Sequence, residues 1–282
     1  MMQFEILDHL AAATAGWADP QLEAPWKWGS YEGGVRFAFF RIYESLATLA
    51  ARLHTARGEE QQPLTEVQRL LGHYHAACCD LQGACRGLDD ATSAIPPAPD
   101  DWSVTQTYAH ILGGDIGFSV VVRHAWRRFP EPGDRPEAIP ESAWEEVMSE
   151  AAYDSLLAEP LAKLIAFHLP FHADLLLEFA GLPDAALGWP ARYWEEELYP
   201  LRFRLQRLDA HIRQHVVQIE KIRRAIGRPL SETLHLLRLI DRARAELDNA
   251  LLGAPAGWHG DLLQAADVEL RRYADAIEAA NS

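Results

Sequence analysis

Apolar residues recur along this chain in three- and four-residue steps far more often than in strict alternation, which predicts helices rather than strands. The stripe Leu71, Tyr74, Cys78, Leu81, Cys85 and Leu88 predicts a helix over about 65–89 with one buried face. A second helix is expected from Ser103 to about Trp126, because Ser103-Val104-Thr105-Gln106 reads as a capping box. A third, over roughly 161–180, is punctuated by Gly181 and Pro183. Pro170 inside it supplies no N–H, so a kink or a split is expected there. The fourth carries the cleanest stripe: Leu201, Leu205, Leu208, Ile212, Val216, Ile219 and Ile226, closed by Gly227 and Pro229. Further helices are expected over 35–57, 231–252 and 261–280. The Pro-rich stretches AIPPAPDD (94–101) and FPEPGDRPEAIPES (129–142) read as a linker and a long exposed loop.

Composition narrows the class. Of the 282 residues, 49% are hydrophobic and 24% charged, the balance of a soluble globular protein. A chain of this length buries enough surface to fold without disulfides or a metal. Its net charge of −15 argues against nucleic acid and against an anionic membrane as partners. No window of about 20 residues is free of charge, so no transmembrane helix is expected. The segment MMQFEILDHL carries acids where a secretory leader needs bases. Cys78, Cys79 and Cys85 form an odd, clustered set on a helical stripe, which suits core filling in a reducing compartment. The protein is therefore expected to be cytoplasmic. Gly29, Gly33 and Gly34 lack the spacing and the preceding strand of a dinucleotide fingerprint.

The residues that carry chemistry are histidines. Two of them four apart on a helix project from one side, and their ring nitrogens can converge on one ion. His211 and His215 have that spacing. A pair chelates weakly, so a third ligand must come from elsewhere. His110 is a polar residue among Tyr108, Ala109, Ile111 and Leu112 without another evident role. His168 and His172 are also four apart, with Pro170 between them; His73 and His75 cannot share a helix face, and His75, four after Leu71 and three before Cys78, is expected to line a cavity. His124, His235 and His259 form no constellation. Spacing alone leaves the third ligand open.

Two segments resemble a known family. WSVTQTYAHI, with His110 eight after Trp102, is similar to the second-helix motif of the DinB/YfiT-like family. HIRQHVVQIEKIRRAIG, from His211 to Gly227, resembles that family's fourth helix. The resemblance covers about 64–228. It implies a cytoplasmic all-α protein, often a homodimer, built on a four-helix bundle over 64–228. The chain then carries an N-terminal helical extension over 1–63 and a C-terminal one over 229–282. It also implies that His110, His211 and His215 hold a divalent metal ion, with zinc or nickel the leading candidates.

Characterised relatives include thiol S-transferases that use bacillithiol or mycothiol, and a mycothiol-dependent maleylpyruvate isomerase. The expected function is therefore a divalent-metal-binding protein acting on a small-molecule substrate, with a low-molecular-weight thiol as cosubstrate. The alternatives are a non-catalytic metal-binding or dimerisation module and a metal-dependent hydrolase. Three imidazoles leave coordination positions open, the pattern of a catalytic rather than a structural site. Gln218, three after His215, is placed to orient a ligand from behind. No general acid or base is singled out. A faint internal echo relates WGSYEGGVRFAFFRIYESLA (28–47) to WSVTQTYAHILGGDIGFSVV, with Arg36 where His110 would stand.

Overall fold

The expected stripes become helices at nearly the expected places. A computed structural model describes residues 4–128, 139–195 and 197–280. In chain order the helices are α1 (Glu5–Thr14), α2 (Arg36–Glu59), α3 (Glu66–Cys85), α4 (Asp90–Ser93), α5 (Val104–Arg128) and α6 (Glu141–Glu145). They continue as α7 (Glu150–Leu157), α8 (Leu161–Phe179), α9 (Leu201–Ala225), α10 (Glu232–Leu251) and α11 (Gly260–Ala279). Two short antiparallel hairpins accompany them, β1 (Pro25–Trp28) with β2 (Tyr31–Gly34) and β3 (Pro190–Ala191) with β4 (Tyr199–Pro200). The chain is all-α, and no described helix is long and apolar enough to cross a membrane. Residues 129–138 of the expected exposed loop lie outside the described residues, and Glu141 already opens a helix.

The chain divides into two compact units: 65–81 with 88–228, and 1–64 with 82–87 and 229–282. In the unit that carries the histidines, α5 and α9 pack side by side, and α8 lies against α5. The caps explain where the helices start. The Ser103 hydroxyl accepts from the Gln106 N–H at 3.2 Å, while the Gln106 side chain accepts from the Ser103 N–H at 2.8 Å. That reciprocal pair satisfies two donors that a helix start leaves orphaned. Asp184 caps α3 from a distant part of the chain, accepting from the N–H groups of Glu66 and Val67, each at 3.0 Å. At the end of α9, Gly227 takes a positive φ of 71°, the left-handed stop its position foretold.

Helix α8 ends where expected, just before Gly181, although Ala180 closes it in the right-handed region and Gly181 takes no positive φ. Pro170 does not split the helix, which runs unbroken from Leu161 to Phe179. Pro170 and Ala166 are both exposed, so the carbonyl left without its helical donor can turn to water.

The other unit builds its own core. Phe39, Ile42 and Leu46 of α2 interlock with Leu237, Ile240 and Leu247 of α10 and with Leu270 and Ile277 of α11. Helix α1 had no expectation attached to it, yet it buries Ile6, Leu7 and Leu10 in the same core. Arg36 stands where the echo would place a histidine. It donates from Nε and Nη2 to the Glu232 carboxylate at 2.8 and 3.0 Å and pairs with Glu23 at 2.7 Å.

Candidate metal centre

The three expected histidines come together. His110 projects from α5, and His211 and His215 project from one face of α9, one turn apart. Their ring centroids lie 4.9 Å (His110–His211), 4.7 Å (His110–His215) and 4.7 Å (His211–His215) apart. One ligand atom from each lies within 4.8 Å of the other two, a set able to hold a metal ion. No other such group of three occurs among the described residues. His211 and His215 are buried, whereas His110 is exposed, so the cluster opens to solvent on the α5 side.

Each ring is held in place by something specific. His215 Nδ1 lies 2.8 Å from Gln218 Oε1. An amide oxygen only accepts, so Nδ1 carries the proton and Nε2 keeps its lone pair for the cluster. The His211 ring rests on bare backbone: a Cβ at Gly114 would stand 2.5 Å from His211 Cε1 and 2.7 Å from Nδ1. Trp102 packs on His110 with centroids 5.0 Å apart. The Nε2 atoms of His110 and His211 face one another at 3.1 Å. Two lone pairs that close repel unless a proton or a cation lies between them.

Burial favours the neutral form of His110 and His211. Desolvation, reinforced by His215, His110 and Arg207, lowers His211 from 6.5 to about 3. Desolvation and then His215 lower His110. Neutral imidazole is the form that ligates, so the site is poised as a ligand set at physiological pH. The residues fit a divalent ion: three imidazole donors, a glycine cradle and an amide that fixes one tautomer.

Beside the cluster lies an aromatic wall that sequence reasoning missed. The Phe118 ring is 6.0 Å from His211, 5.5 Å from Tyr193 and 6.0 Å from Trp194, which is 65% exposed. Trp144 stacks on Tyr193 at 5.8 Å. Glycines of α5 again permit the approach, since a Cβ at Gly117 would lie 2.0 Å from the Tyr193 hydroxyl. The cue was present as Gly113, Gly114 and Gly117 on a single helix, a cost in propensity that only close packing offsets.

The competing histidines are occupied elsewhere. His168 and His172 are both buried and join a polar network, not the three-histidine cluster. Asp115 Oδ2 accepts from the Tyr74 hydroxyl at 2.8 Å and lies 3.0 Å from His168 Nε2. Tyr108 reaches the other nitrogen of His168 at 3.0 Å. His75 Nδ1 meets His172 Nε2 at 3.0 Å, and burial drives His172 well below 6.5. His75 thus packs against a second histidine, their ring centroids 5.3 Å apart. Cys78 and Cys85 are buried as expected, and no cysteine is bridged.

No curated protein and no solved structure compared with this chain matches it. A model of the DinB superfamily matches residues 73–219, a span that contains all three clustered histidines. That span is just over half of the 282 residues, and the chain belongs to the DinB superfamily.

Proposed function

We propose that His110, His211 and His215 bind a divalent ion, zinc or nickel, and that the chain is a metal-dependent thiol S-transferase. The observation that carries this reading is the convergence of three imidazoles with no carboxylate among the described ligands. An ion held only by neutral donors keeps its full charge, and when bound it would bring a coordinated thiol or water toward ionisation near neutral pH. The protein's own groups then do the positioning. Gln218 fixes the His215 tautomer, and the glycine face of α5 lets His211 approach. The exposed side at His110 admits a small thiol. Phe118, Tyr193 and Trp194 offer apolar area for the electrophile. No side chain is required as nucleophile in this scheme, since the small thiol brings its own sulfur.

The test is metal content as isolated, followed by turnover of a chlorinated nitroaromatic with bacillithiol, mycothiol or a simpler thiol. Turnover that needs both metal and thiol supports transfer. Stoichiometric metal without turnover for any thiol would favour the binding-module reading, and water-dependent product release would favour a hydrolase.

A further inference from the structure

Arg207 lies one turn before His211 and two before His215, on the same face of α9. The other arginines of this helix are engaged. Arg202 pairs with Glu66 and Arg204 with Glu195. Arg213 pairs with Asp209, Arg224 with Glu220, and Arg223 donates to the Arg228 carbonyl. Arg207 has no hydrogen bond or ion pair among the described residues. Glu195, a carboxylate that feels the Arg207 charge, has both oxygens committed to Arg204, at 2.9 and 2.8 Å. The Arg207 guanidinium instead sits half-buried, 5.9 Å from the centroid of Phe118. Phe118 is the ring that also touches His211, Tyr193 and Trp194.

A half-buried guanidinium that no described carboxylate hydrogen-bonds, beside a cluster meant for a cation, is electrostatically costly in the free protein. A ligand anion would reverse that cost, and a planar carboxylate matches the guanidinium fork in two parallel hydrogen bonds. We infer that Arg207 is the anion-binding residue of this site and that the substrate is a carboxylate-bearing molecule whose apolar part lies on Phe118, Tyr193 and Trp194. The inference deepens, and rests on, the reading of the three histidines as the reacting centre. The carboxylate could stand on the electrophile or on the thiol, and the chemistry of its capture is the same.

The test is equilibrium binding to the nickel-loaded full chain, followed by tryptophan fluorescence and calorimetry. Benzoate is compared with benzamide, and mercaptoacetate with 2-mercaptoethanol. At least one acid should bind about tenfold or more tightly than its neutral partner, and the pair that shows it tells which reactant carries the carboxylate. Arg207→Gln should abolish that preference while neutral ligands bind as before, and Arg207→Lys should keep part of it. Unchanged nickel stoichiometry and helical circular dichroism guard against misfolding, and Arg207→Lys serves if Arg207→Gln does not fold. No preference in either pair overturns the inference. So does a preference that survives Arg207→Gln, since the ion alone would then be holding the carboxylate. If the chain takes up no nickel, the transferase reading fails by itself, and the same titrations on the metal-free chain still decide Arg207.

Discussion

Gln218 Oε1 lies 2.8 Å from Nδ1 of His215, one turn back along the same helix. That contact decides which nitrogen of His215 faces the other two histidines, because an amide oxygen can only accept. Gln218 therefore acts on the site through another residue and touches nothing that reacts.

Replacing Gln218 with Ala should weaken metal binding about 10- to 100-fold, the usual effect of losing the partner behind a ligating histidine. The fold should be unaffected, because Gln218 is only partly buried. Chelator competition measures the loss. Unchanged affinity would mean that packing alone orients His215.

Gly114 makes a sharper demand. A methyl group there would stand 2.5 Å from His211 Cε1, inside any tolerable contact. Gly114→Ala gains up to about 1 kcal/mol of helix propensity. The clash costs typically about 1–3 kcal/mol and is relieved only by swinging His211 out of the cluster. Metal stoichiometry should therefore fall more than the urea midpoint does. A variant that binds metal normally would show that the α5–α9 spacing can relax.

Much of this was legible in the sequence because helices advertise themselves. The stripe of α9 and the capping box of α5 placed both ligand-bearing helices within a residue or two, and Gly227 closed α9 as expected. His211 and His215 were visible from spacing, whereas His110 needed the family motif, since nothing local marks which distant helix lies opposite. The aromatic wall was hidden for the same reason: Phe118, Tyr193 and Trp194 meet only through tertiary packing. Helix α1 is short, and its buried residues acquire meaning only against a partner helix. Of the kink or split expected at Pro170, the split does not occur, because a proline on an exposed face leaves the freed carbonyl open to water. Arg207 could not be singled out until its fellow arginines on α9 had found partners.

Asp115 should matter for stability and not for metal. Its side chain is fully buried and serves both Tyr74 and His168. Asp115→Ala strands the Tyr74 hydroxyl and the His168 N–H away from water, at about 1–3 kcal/mol for each group. A loss of about 3 kcal/mol or more is expected in urea unfolding, with metal stoichiometry retained in the folded protein. A loss below about 1 kcal/mol would mean that water enters and satisfies both groups.

The cysteines should be dispensable. Replacing Cys78, Cys79 and Cys85 with Ala, singly, should leave turnover intact, because the proposed nucleophile is the small thiol. Cys78 and Cys85 are buried, so their variants should lose modest stability through small cavities. An inactive but folded Cys79→Ala protein would transfer the nucleophile to the chain and overturn the mechanism.

Acid should act on the site in two separable ways. His211 sits near 3 in the folded protein against 6.5 when exposed. Its folded value is depressed, so the unfolded chain takes up a proton that the folded chain refuses. The stability attached to that refusal is complete above about 6.5. It drains away as pH falls from there toward 3, where the folded ring also protonates. Metal-free protein should therefore lose urea stability between pH 7 and pH 4, and His211→Leu should flatten that slope. In the loaded protein, protons compete with the ion for the same nitrogens. Because burial has lowered His110 and His211, that competition should begin at a lower pH than for free imidazole. Metal retention at pH 5.5, read by equilibrium dialysis, is the expected result. His215→Ala should abolish stoichiometric binding at every pH yet leave a helical protein, because the buried stripe from Leu201 to Ile222 holds α9 without the ion. Loss of the helical signal in that variant would show that the ion, not apolar burial, keeps α9 in place.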